Sequence, residues 1–136
     1  MSIIAIKKKR KRKRKSRYIR GVHISPFAGA CRFRSSWEQN YMIYLDENPD
    51  VVSWSYEKLI IEYVSNVKTK KVRKYYPDFQ VEYRDGKKVV IEIKPSRKLQ
   101  QAIVVKKINA VTQWCAIHNL TFKILTEIDL RDMGLI

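Results

Sequence analysis

Nine consecutive basic residues stand near the start of this chain, and such a block cannot join a hydrophobic core. The block and the arginine that follows it comprise Lys7, Lys8, Lys9, Arg10, Lys11, Arg12, Lys13, Arg14, Lys15 and Arg17. Residues 1–20 hold 11 of the 29 Lys and Arg residues and none of the 13 Asp and Glu residues. Because these like charges repel one another, the sequence predicts a disordered basic arm over 1–20. The remaining residues, 21–136, are long enough for a single domain with one core.

The basic arm indicates the class of partner. Closely spaced Lys and Arg side chains displace counterions from phosphates, so we expect the arm to bind nucleic acid, with DNA as the partner. Two alternatives are a solubilising or targeting tail and an arm that contacts an acidic protein surface.

The composition excludes several classes of protein. The sequence has no run of about 18 apolar residues, so no membrane span is expected. It also lacks a Gly-rich phosphate loop, so no nucleotide cofactor is expected. The two cysteines are too few for a disulfide framework, so we expect the protein to reside in a reducing compartment. Cys115 and His118 share a turn of a predicted helix, where a structural role is expected, and His23 is isolated in a predicted loop.

Local patterns predict an α/β fold with one sheet covered by two main helices. The predicted elements are a loop over 21–31, a helix over 35–47, strands over 51–56, 59–64, 74–83 and 88–93, a helix over 97–119, a strand over 120–125 and a short tail. Ser35 can cap the first helix, and Asn48 with Pro49 ends it.

The register of the hairpin formed by 74–83 and 88–93 decides whether its acidic residues meet. A two-residue turn would set the acidic face of one strand against the apolar face of the other. A three-residue loop with Gly86 in the left-handed conformation places Asp78 opposite Glu92 and gives one consistent apolar face. We therefore predict that Asp78, Glu92 and Lys94 lie together on a solvated face, with the apolar face under the 97–119 helix.

Two adjacent carboxylates raise each other's pKa unless a cation lies between them. Hard oxygen ligands suit Mg²⁺ or Mn²⁺. Lys94 could orient or deprotonate the attacking water and offset charge in a phosphoryl-transfer transition state. The alternative is an exposed polar sheet face with one salt bridge.

The same residues resemble a known signature. Pro77-Asp78, thirteen intervening residues and Glu92-Ile93-Lys94, preceded by a helix that carries Glu38, are similar to the PD-(D/E)xK nuclease superfamily. This resemblance implies a restriction-endonuclease-like core with a mixed central sheet and a catalytic hairpin. Residues 34–38, 48–51 and 76–79 look most like two branches, the head completion nucleases of tailed phages and the TnsA-type transposon endonucleases. The basic arm and the short stretch after the core favour the phage branch.

The resemblance implies a metal-dependent endonuclease that hydrolyses phosphodiester bonds of DNA. Asp78, Glu92 and the backbone carbonyl of Ile93 match ligands of Mg²⁺ or Mn²⁺, and Lys94 matches the catalytic lysine. Glu38 matches a helix acid that assists the metal or the water. Glu38 also fits a capping box with Ser35, in which its carboxylate would merely accept a backbone N–H.

The phage branch further implies action on phage DNA during head completion. Its partners would include DNA and the head, portal or neck proteins, and its location would be the virion or the host cytoplasm. The alternatives are a TnsA-like endonuclease that cuts transposon ends, a non-catalytic DNA-binding or virion-assembly protein with the same fold, and a small ribonucleoprotein component.

Overall fold

The computed structural model describes residues 18–136, so the predicted DNA-binding residues Lys7 to Arg17 lie outside the described part of the chain. In chain order the elements are β1 (Gly21–Ser25), β2 (Gly29–Phe33), α1 (Ser36–Glu47), β3 (Val51–Tyr56), β4 (Ile61–Asn66), β5 (Lys71–Tyr75), β6 (Phe79–Tyr83), β7 (Lys88–Ile93), α2 (Ala102–Ile117), β8 (Thr121–Leu125) and α3 (Glu127–Asp132). None of the helices within residues 18–136 has the length and apolar character needed to cross a lipid bilayer.

The central sheet is mixed and four-stranded, which confirms the predicted fold class. Its strand order is β3-β6-β7-β8, with antiparallel pairing of β3 to β6 and of β6 to β7, and parallel pairing of β7 to β8. A parallel pair needs a long crossover connection, and α2 supplies it between β7 and β8. Two further hairpins, β1–β2 and β4–β5, flank this sheet.

The two faces of the sheet bury different helices. On one face Phe79, Val81 and Ile91 pack in a cluster with Tyr41 and Leu45 of α1. The prediction that this face lies under the second main helix is therefore wrong. Because α1 already covers it, the β7–α2–β8 crossover lies on the opposite face.

That opposite face carries a second core cluster. Val90 packs there with Val111 and Cys115 of α2 and with Ile61 and Tyr75 of the β4–β5 hairpin. The α2 helix is thus held between the central sheet and this hairpin, which brings β5 close to the carboxyl end of β7.

The amino-terminal region departs from the prediction. Residues 21–31, predicted as a loop, belong to the β1–β2 hairpin, whose register pairs Gly21 with Phe33. Gly29 has φ +69°, the left-handed conformation that the turn requires. The sequence predicts a loop at this hairpin because its turn residues are prominent and its two short strands have a weak period-2 pattern.

Three other boundaries also differ. The strand predicted over 74–83 is two strands, since Pro77 has no N–H for a strand ladder. The helix predicted from residue 97 begins at Ala102, after a 3₁₀ turn over Ser96–Lys98. The predicted tail forms α3, which begins with a capping box between Thr126 and Asp129.

Candidate active site

The β6–β7 hairpin has the register that the sequence predicts. Phe79 pairs with Ile91 and Glu82 with Lys88, so one further step sets Asp78 opposite Glu92. Gly86 adopts φ +85° in the connecting loop, and its N–H donates to the Tyr83 carbonyl at 3.0 Å. Residues opposite each other in an antiparallel pair share a face, so both carboxylates lie on the face covered by α2.

Asp78 is mostly buried where β6 begins. Its Oδ2 accepts a hydrogen bond from the Ile93 N–H at 2.8 Å, and its carbonyl accepts one from the Glu57 N–H at 2.9 Å. Burial raises the pKa of Asp78 to about 8, and the nearby carboxylates of Glu92, Glu38 and Glu57 add to this rise, against the lowering effect of the Ile93 hydrogen bond. The site therefore disfavours the negative charge of Asp78 unless a cation compensates it.

Glu92 is held by three side chains from different parts of the chain. Its Oε2 accepts a hydrogen bond from the Tyr75 hydroxyl of β5. Its Oε1 lies 3.7 Å from Nζ of Lys94 and 3.9 Å from Nζ of Lys107 in α2. The side chains of Glu92 and Lys94 are only 12% and 13% exposed, so the expected solvated face is in fact largely covered.

Lys107 also lies 4.5 Å above the centre of the Tyr75 ring, an arrangement typical of a cation–π contact. Burial lowers the pKa of Lys107, opposed by the attraction of Glu92. The hydroxyl of Tyr75 is kept protonated, since burial and the charge of Glu92 raise its pKa strongly. Tyr75 therefore acts as a fixed donor that orients Glu92.

Glu38 belongs to a neighbouring network. Ser35 caps α1 by accepting a hydrogen bond from the Glu38 N–H at 3.1 Å, but the Glu38 carboxylate accepts from the hydroxyl of Tyr56 in β3. Within the described residues, α1 has one of the two hydrogen bonds of the predicted capping box, the one that the Ser35 side chain accepts. Burial raises the pKa of Glu38, and the charge of Glu57 adds to this, against the lowering effect of the Tyr56 hydrogen bond. Glu57 is itself paired with Arg34.

A cleft of about 370 Å³ opens beside these networks. Glu38, Ile93 and Lys94 line it, whereas Asp78 and Glu92 lie next to it and are not among its lining residues. Its other charged lining residues are all basic, and they comprise Arg20, Arg34 and Lys98. A cleft with four cations and one carboxylate favours an anionic ligand such as a phosphodiester.

The donor set fits a divalent metal ion of the magnesium type. Within residues 18–136, no three or more His, Cys, Asp or Glu side chains are grouped closely enough to enclose a metal ion by themselves. Mg²⁺ is usually bound through one or two carboxylates, with the remaining ligands from water and substrate phosphates. Asp78 and Glu92 supply such a pair, and a positive charge would offset the burial that raises the pKa of Asp78.

Several residues of these networks were not predicted from the sequence. They lie outside the β6–β7 hairpin, and no spacing signal links them to it; they are Tyr75, Lys107, Tyr56 and Arg34. Glu57 also belongs to these networks, through its main chain. Its left-handed backbone, with φ 50°, turns its N–H toward Asp78, a feature that the sequence does not encode in a recognisable motif.

The other candidate residues have structural roles. Cys115 is buried, and burial raises its pKa to about 11, as expected of a core thiol. His118 stacks on Trp114 at 3.9 Å between ring centres. The prediction that His23 is isolated in a loop is wrong, because it lies in β1 with its Nε2 2.6 Å from Oδ2 of Asp46.

Comparison with known proteins agrees with the resemblance seen in the motifs. Residues 48–127 match the family described as TnsA-like endonuclease N terminal, a span that includes Asp78, Glu92 and Lys94. The chain is also 29% identical over 124 residues to the head completion nuclease of Enterobacteria phage T4, with 75% of this chain and 82% of that protein covered. Since the family match extends over more than half of the chain, this chain belongs to the family of TnsA-like endonuclease N-terminal domains, which is of the PD-(D/E)xK type.

Proposed function

We propose that this protein is a Mg²⁺- or Mn²⁺-dependent endonuclease that hydrolyses phosphodiester bonds of DNA at the Asp78–Glu92 pair. The observation that carries the proposal is the pairing of Phe79 with Ile91, which sets Asp78, directly before β6, opposite Glu92 of β7. Lys94 lies 3.7 Å from Glu92, and a basic cleft opens beside them. The membership of an endonuclease family supports the same chemistry.

Asp78 and Glu92 would hold the metal ion, with the carbonyl of Ile93 as a further ligand. Such an ion supplies Lewis-acid polarisation of the phosphate and a more acidic attacking water. Lys94 lines the cleft, where its ammonium group can offset charge that develops on the attacked phosphate. Tyr75 and Lys107 also hold Glu92 in position, so the carboxylate needs little reorganisation during the reaction.

Glu38 is proposed to orient the attacking water. It lines the cleft, and the Tyr56 hydroxyl fixes its carboxylate on the side away from α2. Burial raises the pKa of Glu38, which makes its carboxylate a better proton acceptor for the attacking water.

The basic arm is proposed to hold the DNA. Tyr18 and Arg20 both line the cleft, so the chain enters the described part of the molecule at the candidate active site. In this proposal the cations at 7–15 and at Arg17 bind phosphates of the DNA backbone. We further propose that 1–20 functions as this arm and that 21–136 forms one nuclease domain.

A role in phage head completion is proposed from the similarity to the phage T4 nuclease. The protein would then act on phage DNA in the virion or the host cytoplasm, with head, portal or neck proteins as further partners. Defective heads that lack the native nuclease offer a test, because wild-type protein should restore tail joining in vitro and Glu92→Gln should not. Equal restoration by both would show that the role does not need cleavage.

Cleavage itself is tested with supercoiled plasmid in Mg²⁺ or Mn²⁺, with and without chelator. We expect nicked and linear products with metal and none with chelator. Glu92→Gln and Lys94→Ala should lose cleavage, whereas Glu82→Gln and Lys88→Ala, on the same hairpin but away from the cleft, should keep it. If the wild-type protein cleaves no linear, nicked, branched or single-stranded DNA in either metal, the proposal is wrong.

The proposed role of Glu38 is tested with a separate substitution. Glu38→Gln should lose cleavage and keep nearly all of its stability, since glutamine still accepts the Tyr56 hydrogen bond. A merely structural Glu38 would give slight destabilisation with cleavage kept. Thermal unfolding beside the plasmid assay separates the two outcomes.

A further inference from the structure

A second basic groove lies outside the candidate cleft, between the β4–β5 hairpin and the amino-terminal half of α2. It has a volume of about 770 Å³, and Lys68, Lys71 and Arg73 of the hairpin line one wall. Lys106 and Asn109 of α2 line the other wall. We propose that this groove binds the sugar–phosphate backbone of the duplex that flanks the cleaved bond, an inference that rests on the proposed endonuclease function.

The charged side chains that line the groove are all basic. Its lining residues within the described chain include four cations and no acidic side chain. Lys68, Lys71, Arg73 and Lys106 make no ion pair with any residue in 18–136, and all four side chains are exposed. Glu62 of β4 pairs with Lys74 and, by strand alternation, points to the opposite face of the hairpin from Tyr63 and Arg73. Nothing in the groove therefore neutralises these cations.

The geometry of the groove suits phosphates. The side chain of Asn66 accepts hydrogen bonds from the N–H groups of Lys68 and Thr69 at 3.0 and 3.3 Å, so the turn that carries Lys68 is internally held. Ala102, the first residue of α2, also lines the groove, and α2 has no acidic residue in its first turn. The partial positive charge of the helix terminus thus adds to that of the side chains.

Duplex DNA fits the groove better than a single strand. Single-strand binding sites combine cations with exposed aromatic rings on which bases stack. The aromatic residue that lines this groove is Tyr63, and it is packed against the core cluster under the hairpin. The other apolar side chains of the lining are aliphatic, and Val64, Val67 and Ile103 among them are exposed. The groove thus presents cations and amides without an aromatic stacking surface, as is typical of contacts to a duplex backbone.

Two residues that line the groove are close in the chain to residues that contact Glu92. Arg73 and Tyr75 lie on the same face of β5, and the Tyr75 hydroxyl donates to Glu92. On the opposite wall Lys106 is followed by Lys107, whose Nζ lies 3.9 Å from Glu92. A backbone lying in the groove would therefore lead toward the carboxylate pair.

The test is the salt dependence of duplex binding, measured by fluorescence anisotropy on the full chain with Glu92→Gln, in chelator, so that no cleavage occurs. Lys71→Ala with Lys106→Ala should flatten the plot of log affinity against log salt by up to about 0.9 for each phosphate that the groove no longer binds. Lys87→Ala with Lys88→Ala removes the same charge from the exposed β6–β7 turn and should leave the slope unchanged. Circular dichroism confirms that each variant is folded.

An unchanged slope for the groove pair, or an equal loss in the control pair, overturns the proposal and leaves the groove to another partner, such as an acidic protein surface. A larger effect with single-stranded than with duplex DNA contradicts the duplex assignment. Cleavage by the otherwise wild-type chain is measured separately. If the chain does not cleave DNA but the groove variant flattens the slope, the proposed nuclease activity is wrong and the proposed DNA-binding groove stands. If the chain cleaves DNA normally but the slope is unchanged, only the proposal for the groove is wrong.

Discussion

Two aspartates that are both largely covered by protein show how differently this fold treats a carboxylate. Asp46, at the end of α1, accepts hydrogen bonds from Ser25 at 2.6 Å and Trp54 at 2.9 Å, and His23 lies 2.6 Å away. Asp78, at the start of β6, accepts from the backbone N–H of Ile93 at 2.8 Å and has three acidic neighbours.

The difference separates a structural carboxylate from a reactive one. The partners of Asp46 come from β1 and β3, so this aspartate fastens the β1–β2 hairpin to α1 and to the central sheet. Its oxygens are already occupied by protein donors. Asp78 lies among other carboxylates, and fewer protein donors offset its negative charge. A bound cation would therefore stabilise its ionised form.

The strongest expected effect is on cleavage. Asp78→Asn and Glu92→Gln should each reduce the rate at least about a hundredfold, because each removes a charge that the metal needs. Both variants should stay folded, as asparagine still accepts the Ile93 N–H and glutamine the Tyr75 hydroxyl. Asp46→Asn should cleave at nearly the wild-type rate wherever it is folded. Plasmid nicking in Mn²⁺ measures this, and an Asp46→Asn variant as inactive as Asp78→Asn would remove the distinction.

Tyr75→Phe tests the support of the reactive pair. Loss of the hydroxyl frees Oε2 of Glu92, and loss of such an orienting partner typically costs about 10- to 100-fold in activity or metal affinity. Tyr76→Phe changes an exposed neighbour and serves as the control. Initial cleavage rates over a range of Mn²⁺ concentrations give the answer. Equal rates for the two variants would show that Tyr75 has no positioning role.

Asp46→Ala should have its main effect on stability. It leaves partly buried donors on Ser25 and Trp54 without their acceptor, for an expected loss of about 2–4 kcal/mol in the free energy of unfolding. Glu47→Ala removes an exposed acid one residue further along α1 and should have little effect. Urea unfolding compares the two, and a loss of similar size in both would contradict a structural role for Asp46.

The last expected effect is the pH dependence of stability in chelator. The pKa of Asp78 is raised from 3.8 to about 8, so between these values the folded chain holds a proton that the unfolded chain has lost. The contribution of Asp78 to stability is thus fully present below the lower value and is lost as the pH rises toward 8. The wild-type protein should lose stability relative to Asp78→Asn from about pH 5 to about pH 8. A difference that does not change with pH would contradict the raised pKa.

The local patterns of the sequence were sufficient for much of the fold. The bounds predicted for α1, β3, β7 and β8 agree with the structure to within a residue or so, because each has a clear periodicity and a stop signal. Elements with weak signals were misjudged. The β1–β2 hairpin has short strands with an uneven pattern, and α3 is a six-residue helix whose capping box is easily taken for a loop.

What the sequence determined by itself was the facing of Asp78 and Glu92, because strand alternation and the loop with left-handed Gly86 allow one register with a consistent apolar face. Tertiary structure alone decided which helix covers each side of the sheet. Once α1 lies against Phe79 and Ile91, the crossover through α2 must use the other face, and it brings Lys107 and the β4–β5 hairpin over Glu92. The solvated pair that the hairpin predicts thereby becomes a covered one, since contacts between elements distant in the chain leave no spacing in the sequence.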